Sequence, residues 1–126
     1  MIKISKKIIL NRFVAENPWW DNSSIIPFRE YRQRPFFDQF FPLIVNKGYN
    51  RAIVLLGPRR VGKTVLIHQV IRRLVEQEKV SPKKIAFFAV DHPLFDDLSL
   101  EEFLALYTEQ TGIDYHTEGC YFFFDE

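Results

Sequence analysis

The sequence Gly57-Pro58-Arg59-Arg60-Val61-Gly62-Lys63-Thr64 is the most informative stretch of this 126-residue chain. Two glycines flank four free positions, and a lysine and a threonine follow, as in a phosphate-binding loop. Glycines allow backbone turns that a Cβ would hinder, so the N–H groups of such a loop can surround phosphate oxygens. The lysine can reach the β- and γ-phosphates, the threonine hydroxyl can ligate Mg²⁺, and the following helix adds its positive N-terminal end.

The residues on both sides of the loop match this motif. Residues 51–56 form a short apolar run rich in strand formers, and the apolar pairs 66/67, 70/71 and 74/75 recur at helical spacing. An ordinary strand–helix turn is disfavoured because strand, glycine loop and helix all occur in the required order. The predicted nucleotide-binding residues are Gly57, Pro58, Arg59, Arg60, Val61, Gly62, Lys63, Thr64 and Val65.

An acidic motif lies about sixty residues further along the chain. Four aromatic residues, 121–124, lead directly into Asp125 and Glu126. In ATPases with a phosphate-binding loop, an acid at the end of such a strand holds Mg²⁺ opposite the lysine. We therefore predict that Asp125 holds Mg²⁺ together with Thr64, and that Glu126 is the general base for the attacking water. Lys63 and Glu126 are the predicted catalytic residues. The alternative for Asp125 is an exposed acid at a strand end.

The N-terminal third predicts helices and a loop. Apolar spacing over residues 3–16 predicts a short amphipathic helix that ends by Asn17-Pro18. Trp19-Trp20 follows in a loop, and packing of these rings onto the domain is favoured over contact with a nucleotide base. Residues 36–44 predict another helix, which Pro42 is expected to kink or restart.

The second half alternates strands and helices. Residues 84–90 predict a strand that is apolar throughout, as expected for a strand covered on both faces. Ser99 and Glu102 predict a capping box at the start of a helix, and Gly112 its end. With residues 51–56 and 121–125 as further strands, the order favours an α/β fold with a parallel sheet and flanking helices. We predict a helical arm over residues 1–48 and a nucleotide-binding core over residues 49–126.

Composition narrows the class of protein further. The net charge of +1 argues neither for nor against nucleic acid as a partner. The single cysteine, Cys120, cannot form an internal disulfide, which fits a reducing compartment. Neither a membrane-spanning run nor a signal peptide is evident in the sequence. These observations predict a cytoplasmic protein that does not associate with membranes.

The motifs at residues 17–20, 57–64 and 122–126 resemble those of the AAA+ superfamily of P-loop ATPases, in particular a prokaryotic group with this Gly-Pro-Arg-Arg-Val-Gly-Lys-Thr loop. The resemblance implies a Walker A motif at 57–64, a Walker B motif at about 121–126, and one intervening strand, which residues 84–90 supply. It also implies two further strands beside the Walker A strand, a sensor residue and a C-terminal domain, none of which follows Glu126. We therefore expect an incomplete sheet, completed by further chain or by a partner, unless strand 121–125 pairs directly with strand 51–56.

Three functions are compatible with these motifs. The first is Mg²⁺-dependent ATP hydrolysis coupled to an unknown partner. The resemblance implies a homo-oligomer here, because these ATPases take an arginine finger from a neighbouring subunit, although no residue of this sequence can be assigned to that role. The second is a nucleotide-binding fragment without turnover. The third is a small-molecule P-loop kinase, which Glu126 and the intervening strand disfavour.

Overall fold

The computed structural model of this chain describes residues 5–28, 30–33, 35–45 and 62–125. The chain forms two compact units: the first comprises Met1–Ile25 and Lys79–Glu126, and the second comprises Ile26–Glu78. The helices and strands of the described residues are α1 (Lys6–Glu16), α2 (Phe37–Val45), α3 (Lys63–Glu76), β1 (Ile85–Ala89), α4 (Leu100–Thr111) and β2 (Tyr121–Asp125), with short 3₁₀ helices at Pro18–Trp20, Pro82–Lys84 and Pro93–Phe95. None of these helices is both long enough and apolar enough to cross a membrane.

The first unit contains a parallel pair of strands. β1 and β2 pair in register from Ile85 opposite Tyr121 to Ala89 opposite Asp125. Both predicted strands are confirmed, and so is their parallel orientation. The predicted strand 51–56 lies outside the described residues, so the complete sheet of a P-loop ATPase stays a prediction.

α4 connects β1 to β2. The predicted capping box is present at its start and the predicted glycine at its end. The Ser99 hydroxyl accepts a hydrogen bond from the Glu102 amide at 3.2 Å, and the Glu102 carboxylate accepts one from the Ser99 amide at 3.1 Å. Gly112 ends the helix in the left-handed conformation, with φ 76°. The reciprocal cap satisfies two amides that a helix start otherwise leaves without partners. The helix therefore begins and ends at the positions that the sequence predicts.

Side chains, rather than a strand, satisfy the edge of β1 that faces away from β2. The amide group of Asn17 pairs with Phe87 in both directions, because Oδ1 accepts from the Phe87 N–H at 2.6 Å and Nδ2 donates to the Phe87 carbonyl at 3.0 Å. Nδ2 also donates to the Phe13 carbonyl at 2.7 Å. An asparagine side chain has the donor and acceptor of a peptide group, so Asn17 replaces one residue of a neighbouring strand.

Both tryptophans continue this arrangement along the same edge. The indole Nε1 of Trp19 and that of Trp20 donate to the Ile85 carbonyl at 2.8 Å and 2.7 Å. Trp19 is 0% exposed and Trp20 8% exposed. The predicted packing of this pair onto the domain is confirmed. We refer to residues 16–20 as the edge-capping segment.

An aromatic cluster fills the space between α1, β1 and α4. The Phe13 ring lies 5.1 Å from that of Phe88, 5.2 Å from that of Phe95 and 5.7 Å from that of Phe103, measured between centroids. All four rings are buried. Aromatic pairs at these separations stabilise a core beyond the area that they bury. Four of the 13 phenylalanines of the chain lie in this cluster.

Tyr107 of α4 contacts the residues that lie just before both strands. The Tyr107 hydroxyl donates to the Lys83 carbonyl at 2.5 Å, just before β1, and lies 3.7 Å from the Cys120 sulfur, just before β2. Its ring packs edge-on against Phe122 at 5.0 Å. Cys120 is half-buried, and burial raises the pKa of its thiol. Tyr107 thus connects the helix to the amino ends of both strands.

The second unit contains α2 and α3. α2 continues without a break through Pro42, so the helix does not restart there, and the predicted kink stays a prediction. The Phe37 and Phe41 rings stack at 5.4 Å on one face of α2, and the Arg73 guanidinium of α3 lies 5.0 Å from the Phe41 centroid. Packing between side chains one turn apart compensates for the hydrogen bond that proline cannot donate.

We expect Asn17→Ala to lower the free energy of unfolding by about 3 kcal/mol, because it removes two buried hydrogen bonds to the Phe87 backbone. Urea denaturation followed by circular dichroism would measure this loss. Asn22→Ala is the matched control, since Asn22 is exposed and its Oδ1 accepts only from the amide and hydroxyl of Ser24. Equal midpoints for the two variants would contradict the role assigned to Asn17.

Candidate functional site

The described part of the predicted phosphate-binding loop begins at Gly62, which has φ 87° and ψ 18°. This is the left-handed conformation, which glycine adopts without the steric cost that a Cβ imposes. Gly62 is also the N-cap of α3, and its carbonyl accepts the first helical hydrogen bond, from the Leu66 amide at 2.9 Å. The second glycine of the motif is therefore in a conformation that favours glycine.

Lys63, Thr64 and Val65 form the first turn of α3 and are half-buried. Amide groups in the first turn of a helix have no acceptor within that helix, and the helix dipole makes this end positive. Buried apolar residues anchor the helix behind this turn, namely Leu66, Ile67, Val70, Ile71 and Leu74. The lysine and the threonine of the motif thus stand at the helix end that suits an anion.

His68 contacts the backbone of Thr64, one turn earlier on α3. Its Nδ1 lies 2.8 Å from the Thr64 carbonyl oxygen, and the residue is buried. Because a carbonyl can only accept, Nδ1 carries the proton in this contact. One ring nitrogen of His68 is therefore satisfied by the backbone of its own helix.

The segment before α2 packs against the same helix. The Phe28 ring lies 5.2 Å from the His68 ring, and Phe28 itself adopts a positive φ of 62°. Gln69 donates from Nε2 to the Arg32 carbonyl at 3.1 Å. A phenylalanine in the left-handed region is uncommon, so surrounding contacts must hold it there. The contacts of Phe28 with His68 and of Arg32 with Gln69 therefore hold this segment beside α3.

The predicted Mg²⁺ carboxylate lies in the first unit, at the carboxyl end of β2. The Asp125 carbonyl accepts from the Val90 amide at 2.9 Å, which extends the pairing of the strands by one step. Asp91 is exposed and follows directly, in the turn after β1. Both acids thus stand at the edge of a parallel sheet where ligands bind in α/β proteins.

The remaining predicted site residues, Gly57, Pro58, Arg59, Arg60, Val61 and Glu126, lie outside the described residues. Among the residues that are described, no group of three or more His, Cys, Asp or Glu side chains could hold a metal ion. The predicted Mg²⁺ site does not require one, because this cation keeps several waters and needs few protein ligands. The predicted pairing of Thr64 with Asp125 stays a prediction.

Glu16, the last residue of α1, is a notable residue that sequence analysis did not identify. Its side chain is 9% exposed, and Arg12 Nε donates to Oε2 at 3.2 Å. Oε1 is buried and accepts no hydrogen bond in the described part of the chain. Burial raises the pKa of this carboxyl group; the Arg12 charge and the Ala89 backbone oppose the shift, and Asp91 adds to it. The only sequence signal is its position directly before Asn17-Pro18.

Comparison with known proteins gives one family and one relative. The family model described as "AAA domain" matches residues 49–126. Over 74 residues the chain is 31% identical to the uncharacterized protein MJ1637 of Methanocaldococcus jannaschii. This match covers 59% of the present chain and 15% of the relative, so the chain spans only a small part of that protein's length. No solved structure gives a significant match.

We expect Gly62→Ala to destabilise the protein by about 1 kcal/mol, because alanine is strained at a positive φ. Gly112→Ala, at φ 76° with open space around the added Cβ, should cost a similar amount. Gly119→Ala is the matched control, since its Cβ would also meet nothing within 4 Å and its φ is not in the positive region. Thermal unfolding of the three variants would measure the costs. A Gly62→Ala variant as stable as Gly119→Ala would contradict the conformational requirement.

Proposed function

This chain belongs to the AAA domain family of nucleotide-binding ATPases, and we propose that it binds ATP with Mg²⁺ and supports ATP hydrolysis coupled to an unknown partner. The observation that carries the proposal is the left-handed Gly62 followed by Lys63 and Thr64 in the first turn of α3. That conformation and that order of residues are what a phosphate-binding loop requires at its junction with the helix.

Each residue of the proposed site has a chemical role. The amides of the loop and of the first turn of α3 bind phosphate oxygens, and the Lys63 ammonium group offsets the charge that develops on the γ-phosphate. Thr64 and Asp125 provide a hydroxyl and a carboxylate, both hard oxygen donors of the type that Mg²⁺ prefers. These two residues would hold the cation, which would supply positive charge against the phosphates of ATP.

Hydrolysis requires a base in addition to these groups. In the proposal Glu126 accepts a proton from water as the water oxygen attacks the γ-phosphorus, and ADP leaves with the electrons of the broken P–O bond. Glu126 directly follows Asp125, the last residue of β2, in the sequence. This assignment rests on the sequence order Asp-Glu and on the resemblance to Walker B motifs.

We also propose that the active assembly is larger than this chain. The resemblance to AAA+ ATPases suggests either a homo-oligomer, with an arginine from a neighbouring subunit at the γ-phosphate, or a further region of chain. The match of only 15% of the relative's length supports a further region. A cytoplasmic location is proposed from the single cysteine.

We expect Lys63→Ala to weaken ATP binding, and Glu126→Gln to retain binding while lowering turnover by at least about 100-fold, because removal of a general base affects only the chemical step. Calorimetric titration with ATP and Mg²⁺ would measure binding, and phosphate release would measure turnover. Lys7→Ala is the control, since Lys7 is an exposed lysine on α1.

The results separate the three candidate functions. ATP binding by the parent chain without phosphate release would favour a nucleotide-binding module. Transfer of the γ-phosphate to an acceptor other than water would favour a kinase. Equal phosphate release by the parent chain, Lys63→Ala and Glu126→Gln would contradict the proposed site itself.

A further inference from the structure

We propose that Glu16 is a proton-binding site, and that a proton on its carboxyl group strengthens the docking of the edge-capping segment on β1. The proposal concerns the first unit alone and does not depend on nucleotide binding. It rests on the position of this carboxyl group, on the missing partner of one of its oxygens, and on the charges that surround it.

Glu16 ends α1 and directly precedes Asn17, whose side chain pairs with Phe87 of β1. The backbone N–H of Ala89, two residues further along the same strand, hydrogen-bonds to the Glu16 carboxyl group and favours its charged form. Alternate residues of a strand present their backbone groups to the same edge. Glu16 is therefore part of the same docking contact as Asn17, Trp19 and Trp20.

The surroundings of the carboxyl group favour its neutral form. The side chain is 9% exposed, so a negative charge there is poorly hydrated. The charged groups that face it are Arg12, on its own helix and 41% exposed, and Asp91, in the turn after β1. The group also stands at the carboxyl end of α1, where the helix dipole disfavours a negative charge.

The two carboxylate oxygens of Glu16 differ in their hydrogen bonding. Oε2 accepts from Arg12 Nε at 3.2 Å, whereas Oε1 is buried without a hydrogen-bond donor among the described residues. Leaving an ionised oxygen in this state costs free energy each time the segment docks. A bound proton removes the charge at the atom that lacks a partner, so docking of the neutral form is favoured.

The direction of the pH dependence follows from linkage. A carboxyl group whose pKa is raised in the docked state binds a proton more tightly there than in the undocked state. Its stabilising contribution is complete below its ordinary pKa of 4.5, and it is lost as the pH rises through the raised value. Docking should therefore strengthen as the pH falls from neutral toward about 5.

The protein carries its own reporters of docking. Trp19 and Trp20 are the only tryptophans of the chain, and both indole N–H groups donate to Ile85. The Phe87 amide donates to Asn17. Hydrogen exchange of these three N–H groups, followed by NMR and corrected for intrinsic rates, therefore reports the undocking of the edge-capping segment.

The experiment compares the nucleotide-free chain with Glu16→Gln between about pH 5 and about pH 8. In the parent chain we expect protection of the Phe87 amide to increase toward the lower pH, approaching a factor of about ten for each unit by which the pKa is raised. Glu16→Gln should be as protected at about pH 8 as the parent chain at about pH 5. Glu101→Gln, an exposed acid on α4, should behave as the parent chain does.

The comparison of the parent chain with Glu16→Gln also separates the pH dependence due to Glu16 from that due to other titrating groups. All three histidines remain in Glu16→Gln, so pH dependence that persists in this variant belongs to them and not to Glu16. Arg12→Gln is a second variant that keeps the carboxyl group. Arg12→Gln removes the positive charge that lowers the pKa of Glu16. The increase in protection should therefore occur at higher pH in this variant. Arg12→Gln provides the test if Glu16→Gln does not fold.

Two results would overturn the proposal. One is protection of Phe87 and the two indoles that is independent of pH in the parent chain. The other is an identical pH dependence in the parent chain and Glu16→Gln, together with no displacement in Arg12→Gln.

Discussion

The described structure of the first unit depends on how one strand edge is satisfied. β1 pairs with β2 on one side, and a backbone edge left open on the other side would be a template for pairing with other chains. Asn17, Trp19 and Trp20 fill the hydrogen-bonding groups of that edge with side chains. A buried backbone group without a partner costs about 1–3 kcal/mol, so these contacts determine where α1 can lie.

The aromatic core follows from this constraint. Once Asn17 is fixed against Phe87, α1 lies across the sheet, and Phe13 meets Phe88 and Phe103. The Asn17 amide also donates to the Phe13 carbonyl, so one side chain connects the end of α1, the strand edge and the core. The tandem tryptophans therefore have a structural role in this unit. The proposed nucleotide chemistry belongs to the loop before α3, to Asp125 at the end of β2 and to Glu126, the next residue in the sequence.

Local sequence signals predicted most of the described elements. Apolar spacing gave α1 and α3, the capping box gave α4, and the motif correctly required a glycine at position 62. Contacts between distant residues could not be predicted in this way, because nothing near Asn17 specifies Phe87. Glu16 was overlooked for the same reason, since only the approach of β1 buries an acid that would otherwise be exposed. Propensity alone left open whether α2 kinks or restarts at Pro42, because it does not include the stacking of Phe37 on Phe41.

The side-chain contacts of the edge-capping segment also constrain how the chain can fold as it is synthesised. Asn17 and Phe87 are separated by 70 residues, and Trp19 and Ile85 by 66. The amino terminus therefore leaves the ribosome long before its partner strand exists, and its two indole rings stay without their final hydrogen bonds until β1 emerges. Contacts of such long range are slow to form, and apolar surface exposed meanwhile is prone to aggregation. Residues 16–20 therefore keep their apolar side chains exposed until residues 85–89 have been synthesised.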